Sequence, residues 1–208
     1  IRQAAASGGA QAYYININSP LPDGMSEDII AQPWLFRHTP GVRFEGAIHE
    51  TVFESLVACG FQPMHTDIVV YHFGYSSRNA IVPRFERNLA ALRKQIASGQ
   101  AKPIAHYYLG TTLLGLNRPA EAIPELKKAM AHPDLYWRVR ANAHLALIRA
   151  YAANGEPEAA EQCADEAVTL YPKDRMTWTF RGQVALQMKN YSKAIESLSR
   201  ALELREVL

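Results

Sequence analysis

The chain has 208 residues, of which 48% are hydrophobic and 20% are charged, so it can bury one large core or two small ones. A formal net charge of +2 argues against a dedicated nucleic-acid binder, which concentrates basic residues on one face. No apolar run approaches the roughly 20 residues of a membrane span, and Cys59 and Cys163 lie too far apart for a metal knuckle or a disulfide framework. We therefore expect a cytoplasmic protein with reduced thiols, no nucleic-acid partner and no transmembrane segment.

The chain begins at Ile1 without a signal-peptide pattern, and we expect a piece of a longer protein.

Charge and composition divide the chain into two parts. Residues 1–82 carry four Lys or Arg against seven Asp or Glu, whereas residues 83–208 carry 18 against 13. Strand-forming residues dominate the first part and helix-forming residues the second. The sequence therefore predicts a small α/β segment over residues 1–82, a connecting helix over 83–100, and helices over 101–208.

Individual elements follow from apolar runs and turn signals. Gln11–Asn18 reads as a strand, and Thr39–Gly41 is a turn signal. Thr51–Ala58 reads as a short helix stopped by a glycine, and Asp67–Tyr71 reads as a buried strand. Arg84–Ala97 has its apolar residues on one helical face, with Arg and Lys on the other.

The second part repeats itself. Pro103–Asp134, Ala141–Pro172 and Arg175–Glu206 align without gaps, with steps of 38 and 34 residues, and the first step is stretched by four residues around His132–Tyr136. Small residues recur in fixed columns, one of which holds Ala122, Ala160 and Ala194. This pattern resembles the tetratricopeptide repeat (TPR), a helix-turn-helix unit of 34 residues. The predicted fold class is therefore mostly α: a TPR solenoid of three repeats preceded by a small α/β segment.

A solenoid of this kind presents an inner face to a partner. The positions expected on that face, on the first helix of each repeat, are Tyr107, Thr111, Leu145, Arg149, Thr179 and Gln183. Repeats that clamp the C-terminal carboxylate of a partner place Lys and Asn there, whereas Arg149 is the only cation in this set. We therefore expect a protein or peptide partner of apolar or mixed character, including the first part of this same chain.

The first part carries three distinctive runs: Trp34–Arg37 (WLFR), Pro40–Glu50 (PGVRFEGAIHE) and Ile68–Tyr75 (IVVYHFGY). Over roughly residues 10–100 the chain resembles the C-terminal half of the catalytic domain in bacterial family 2 glycosyltransferases that carry TPR repeats behind the enzyme. The resemblance implies a GT-A fold, inverting transfer from a nucleoside-diphosphate sugar, and a divalent metal (Mg or Mn). The Asp-x-Asp motif of that fold is missing from the sequence. We therefore expect this piece to be inactive by itself and to hold no tightly bound cofactor.

The resemblance also implies roles for individual residues. Inverting transfer needs a carboxylate base, for which Glu50 is the first choice, Glu45 the alternative and His49 a weaker candidate. Arg37 and Arg43 would hold the donor diphosphate, and His72 would bind the metal. Each of these residues has an ordinary structural alternative, such as a solvated carboxylate, a surface ion pair or a hydrogen-bonded histidine.

Two functions from different classes are therefore open. One is the C-terminal part of a sugar transferase whose repeats bind or position a protein or an acceptor. The alternative is a non-catalytic TPR scaffold for protein–protein interaction, with the first part as an N-terminal cap. The absence of a polar capping helix before Leu208 favours further repeats beyond it.

Overall fold

The structure is a computed structural model and describes residues 11–20, 27–46, 48, 50–72, 81–99 and 101–204. The chain forms two compact units, residues 1–84 and residues 85–208. Among the described residues, no helix combines the length and the apolar character needed to cross a membrane.

The first unit contains a three-stranded sheet and one short helix. Its described elements are β1 (Ala12–Pro20), β2 (Glu27–Phe36), α1 (Phe53–Ala58) and β3 (Met64–Tyr71). The strand order is β2-β1-β3, in which β1 pairs antiparallel with β2 and parallel with β3. The strand predicted over residues 11–18 and the helix predicted over residues 51–58 are both confirmed.

The strand predicted at Asp67–Tyr71 exists as part of β3, but the prediction that it is buried is wrong. Val69, Val70 and Tyr71 are all exposed. The reason is topological, because β3 hydrogen-bonds to β1 alone and lies at an edge of the described sheet. An apolar run shows that a strand is compatible with burial on both faces, but it does not show which other elements cover it.

A small core holds α1 against the start of β1. Ala12, Val52, Leu56 and Phe61 are buried together. Beside them, the Ser55 hydroxyl donates to the Arg43 carbonyl at 2.7 Å and accepts from the Arg43 amide at 3.0 Å. These two bonds tie the chain around Arg43 to the helix.

The second unit is helical. Its described helices are α2 (Ile81–Ala97), α3 (Ile104–Gly115), α4 (Pro119–Ala131), α5 (Trp137–Ala153), α6 (Pro157–Leu170), α7 (Arg175–Gln187) and α8 (Tyr191–Glu203). Contacts are most extensive within the pairs α3–α4, α5–α6 and α7–α8. The three predicted helix-turn-helix units are therefore confirmed.

Each pair turns in the same way. Asn117, Gly155 and Lys189, which hold equivalent positions, have φ angles of 57°, 78° and 60°. In each turn the next residue donates its amide to the carbonyl five residues earlier, at 2.8 to 2.9 Å. This is the Schellman arrangement, which ends a helix with one residue in the left-handed region. The first helix of each pair therefore ends in the same turn.

Small residues set how closely the helices of a pair approach. Ala122, Ala160 and Ala194 are all buried, as predicted. In the first pair, a Cβ on Gly110 would lie 2.6 Å from Cγ of Leu126, so only glycine fits there.

The third pair also has a glycine on its first helix facing a leucine on its second, whereas the middle pair has the large residue on the first helix and the small one on the second. A Cβ on Gly182 would lie 2.7 Å from Cγ of Leu198. The equivalent positions of the middle pair are Ile148 on α5 and Ala164 on α6, and both residues are buried. Each crossing thus pairs one large with one small residue, and the middle pair carries one carbon atom more than the other two.

The four additional residues of the first step add one turn to the start of α5, from Trp137 to Arg140. Four residues are about 1.1 helical turns, so the repeat residues that follow keep their faces, and Ala141 is buried. The Arg140 guanidinium donates to the carbonyls of Met130 and His132, both at 2.8 Å, and of Pro133 at 3.1 Å. It thereby caps the end of α4 and anchors the added turn.

A network of charged side chains joins the last two pairs. Asp165 on α6 accepts from Arg181 Nε on α7 and from Lys193 Nζ on α8, both at 2.7 Å. Lys193 also donates to Glu161 at 2.6 Å, and Arg181 donates to the Ser197 hydroxyl at 2.9 Å. Burial by itself would raise the pKa of Asp165, but the hydrogen bonds from Lys193 and Arg181 bring it below its usual value.

Replacing Ala160 by Leu tests the close approach of α5 and α6. The larger side chain has no space at a position with 0% exposure, and we expect the free energy of unfolding to fall by about 1–3 kcal/mol. Urea unfolding followed by circular dichroism measures it. As a control, Ala120→Leu changes an exposed helical position and should stay within about 0.5 kcal/mol of the wild type. Equal stability of Ala160→Leu and the wild type would contradict the packing described here.

Replacing Asp165 by Asn tests the charged network through pH. Because the pKa of Asp165 is lowered in the folded state, its contribution to stability is present above the ordinary Asp pKa of about 3.9 and is lost as pH falls through the folded value. Asp165→Asn should therefore have a lower free energy of unfolding than the wild type at neutral pH. On acidification this free energy should fall less in the variant than in the wild type. Urea unfolding at a series of pH values measures this. The exposed Asp134→Asn is the control and should keep the wild-type dependence of unfolding free energy on pH. If Asp165→Asn also keeps that dependence, the stabilising role given to the ionised Asp165 is refuted.

Candidate functional site

The predicted inner-face residues all lie on the first helix of a pair, namely α3, α5 or α7. Arg149 and Gln183 are exposed, while Tyr107, Thr111, Leu145 and Thr179 are half-buried. Since neighbouring first helices also contact each other, α3 with α5 and α5 with α7, these residues can act as one surface.

The electrostatics of this surface centre on Arg149. Burial raises the pKa of the Tyr107 phenol, and the positive charge of Arg149 on α5 opposes that rise. The hydroxyls of Thr111 and Thr179 donate to carbonyls of their own helices, at 3.1 and 3.0 Å. The face therefore offers one guanidinium, one amide and partly buried apolar surface.

Two further residues extend the face, and the sequence reasoning missed them. Met176 lies three residues before Thr179 on α7, and Leu186 lies three residues after Gln183. This helical spacing puts all four side chains on one face of α7. Both Met176 and Leu186 are exposed although apolar. The helical spacing itself was the signal that could have identified them.

The residues assigned to sugar transfer lie in the first unit. Arg43 Nη2 and Glu45 Oε1 form an ion pair at 3.1 Å, in which the Arg43 side chain is 73% exposed. Glu50 is exposed and precedes Thr51, whose backbone bridges to that of Glu45. The structure thus places the two candidate bases at the two ends of one tight loop, with Glu45 already paired to a cation.

His72 and Arg37 make described contacts with β1 and with the residue before it. The His72 amide donates to the Asn18 carbonyl at 2.8 Å, and its Nδ1 lies 3.4 Å from the Ser19 hydroxyl, so His72 extends the pairing of β3 with β1. Arg37 is exposed, and its amide bonds to the Gln11 carbonyl. His49 lies outside the described residues. The roles of these residues in sugar transfer stay predictions.

Metal ligands do not cluster in the part of the chain that the structure describes. There, no three His, Cys, Asp or Glu side chains come together as a metal site. A divalent metal therefore stays a prediction that rests on the resemblance alone.

The cysteines have the packing expected of structural thiols. Cys59 is half-buried and Cys163 is buried. Burial raises the pKa of the Cys163 thiol to about 12, so it stays protonated at neutral pH and is a poor nucleophile.

Comparisons with known proteins agree with the helical architecture. Family models of the tetratricopeptide repeat match residues 141–184 and 177–207. A solved structure of MamA, residues 41 to the end, from Desulfovibrio magneticus RS-1 is similar at 21% identity with a TM-score of 0.54, covering 61% of this chain and 69% of that chain. YrrB, described as a TPR protein with an unusual peptide-binding site, is similar at 22% identity with a TM-score of 0.52, covering 64% and 67%.

No curated protein matches the chain. At these identities the structural likeness shows the fold alone. The family models add the residue pattern itself in the last two pairs. The helical pairs of the second unit thus form a TPR-like solenoid, and residues 141–207 match the pattern of the tetratricopeptide repeat.

Proposed function

We propose that this chain is a binding scaffold whose inner face, formed by α3, α5 and α7, holds a protein or peptide segment. The observation that carries the proposal is the set of exposed residues that helix stacking does not use. Arg149, Gln183, Met176 and Leu186 are all exposed on the first helices of their pairs. A surface of this composition can bind an extended chain through one charge-assisted contact, an amide and apolar contacts.

The composition of the face also indicates the kind of partner. A terminal carboxylate bound by charge alone would call for several cations, whereas Arg149 is the only cation of the predicted set. The apolar contributions of Leu145, Met176 and Leu186 favour a segment with apolar side chains. The peptide-binding site named for YrrB supports the proposal by analogy of fold.

A selection of peptides from a random display library on the wild-type protein tests this function. We expect selected peptides to bind Arg149→Glu and Leu186→Glu at least about tenfold more weakly, because each change removes one contact or opposes it with a charge. Fluorescence anisotropy measures the dissociation constants. Lys94→Glu, at an exposed position on α2 outside this face, is the matched control for charge reversal. Peptides that bind the wild type, Arg149→Glu and Leu186→Glu equally would contradict an inner-face site.

Sugar transfer is the second candidate, and one observation favours it. A helical scaffold does not account for the first unit, in which β1 and β3 are parallel while β2 and β3 expose apolar side chains. Parallel strands normally belong to α/β sheets covered on both faces, as the resemblance to GT-A domains implies. The matches reported above concern the repeats and leave this candidate as a prediction.

The test of the second candidate uses a longer protein that includes the donor-binding half. Glu50→Gln keeps the shape and removes the proton affinity, so turnover should fall by about 10²–10⁴-fold while donor binding changes little. Glu54→Gln, an exposed change in α1, should keep wild-type turnover. Near-full turnover of Glu50→Gln together with loss in Glu45→Gln would move the assignment to Glu45, and activity of both variants would refute it.

A further inference from the structure

The turn added to the start of α5 builds a groove. A cavity of about 640 Å³ lies between this turn and the chain that joins α6 to α7. Trp137, Arg138 and Ala141 line one side, and Leu170, Tyr171 and Lys173 line the other. Its volume is in the range of small-ligand sites. The other two pairs lack the added turn, so this side of the groove comes from the four additional residues and not from the repeat.

Apolar side chains stay exposed along this groove. Trp137 is 55% exposed and Leu170 is 58% exposed. Arg140 fixes the turn that carries Trp137 through its bonds to the carbonyls of Met130, His132 and Pro133. The indole is therefore presented on a rigid element, a condition for an aromatic anchor of a binding site.

The charge of the groove is positive. Arg138 and Lys173 are exposed, and among the described residues neither has a carboxylate at ion-pair distance. The one lining carboxylate, Asp174, already caps α7 by accepting from the Met176 amide at 2.8 Å. The Arg138 guanidinium lies 5.0 Å from the Trp137 ring centroid, so cation and anchor are adjacent.

We propose that this groove is a second binding surface, separate from the inner face, for an extended acidic peptide segment that carries a bulky apolar residue. The apolar residue packs between Trp137 and Leu170, and flanking carboxylates pair with Arg138 and Lys173. Charge complementarity selects the acidic partner, because the groove holds two exposed cations and its carboxylate is engaged in a helix cap. The uncapped start of α5 adds to the same positive potential.

Titration of the isotope-labelled protein with the peptide acetyl-EDLFDE-amide, followed by NMR, tests this surface. Binding should shift the indole N–H resonance of Trp137, which is assigned by its loss in Trp137→Ala. Two comparison peptides separate the contributions: acetyl-KRLFRK-amide reverses the charge, and acetyl-EDSSDE-amide removes the apolar centre. Both should bind at least about tenfold more weakly.

Variants locate the site. The double variant Arg138→Glu with Lys173→Glu should weaken binding of acetyl-EDLFDE-amide at least about tenfold, as should Trp137→Ala. The double variant Arg87→Glu with Lys94→Glu makes the same change in net charge on α2, outside both proposed surfaces, and should weaken it less than about threefold. The altered residues are all exposed, so thermal unfolding should confirm that each variant folds.

Three results would overturn the proposal: no shift of the Trp137 indole at millimolar peptide, equal binding of the basic peptide, or equal loss in the two double variants. Failure here is distinguishable from failure of the inner-face site, since peptides held on the inner face depend on Arg149 and Leu186 and not on Arg138.

Discussion

The close approach of paired helices is the constraint on which the second unit depends. Gly110 and Gly182 have no room for a Cβ beside Leu126 and Leu198, and an alanine column runs beside them through all three pairs. Such contacts set the distance and angle between helices, since packed interiors leave few voids and tolerate little excess volume. Only when this geometry is the same in every pair do the first helices line up into one surface. The inner face is therefore a consequence of residues that lie beneath it.

The middle pair shows how the constraint can be met by different residues. Ile148 and Ala164 exchange the large and small sides of the crossing and add one carbon atom, so the packing accommodates either arrangement. The same tolerance applies along the chain. An insertion of four residues fits the helical period closely enough to leave the following repeat in register, and Arg140 replaces a polar side-chain cap by binding carbonyls at the end of the preceding helix. An addition that disturbed the register would have displaced every later contact, whereas this one adds a turn with surface of its own.

The charged side chains of the second unit fall into two groups, those that link helices and those that stay exposed. Asp165, Arg181 and Lys193 link three helices through short contacts at partly exposed positions, where an isolated pair would contribute little. A network shares the entropic cost of ordering its side chains, and it connects α6 to the last pair, which ends the described solenoid. By contrast, Arg138, Arg149 and Lys173 are not used in this way, and these three exposed cations lie on the two surfaces proposed for partners.

The sequence by itself determined the elements and their pairing in the second unit, because helical periodicity, turn residues and the alanine column are local or repeat at a fixed interval. It also indicated β1 and β3 of the first unit, but it missed the strand Glu27–Phe36, and it did not show that Asp67–Tyr71 lies at an edge, since burial depends on neighbours distant in the chain. The inner-face positions follow from register, and yet their exposure and the influence of Arg149 on the pKa of Tyr107 required the stacked helices. The groove beside Trp137 was decided by the tertiary structure alone. The alignment shows four additional residues, and only the packing of α5 against the α6–α7 connection turns them into a surface.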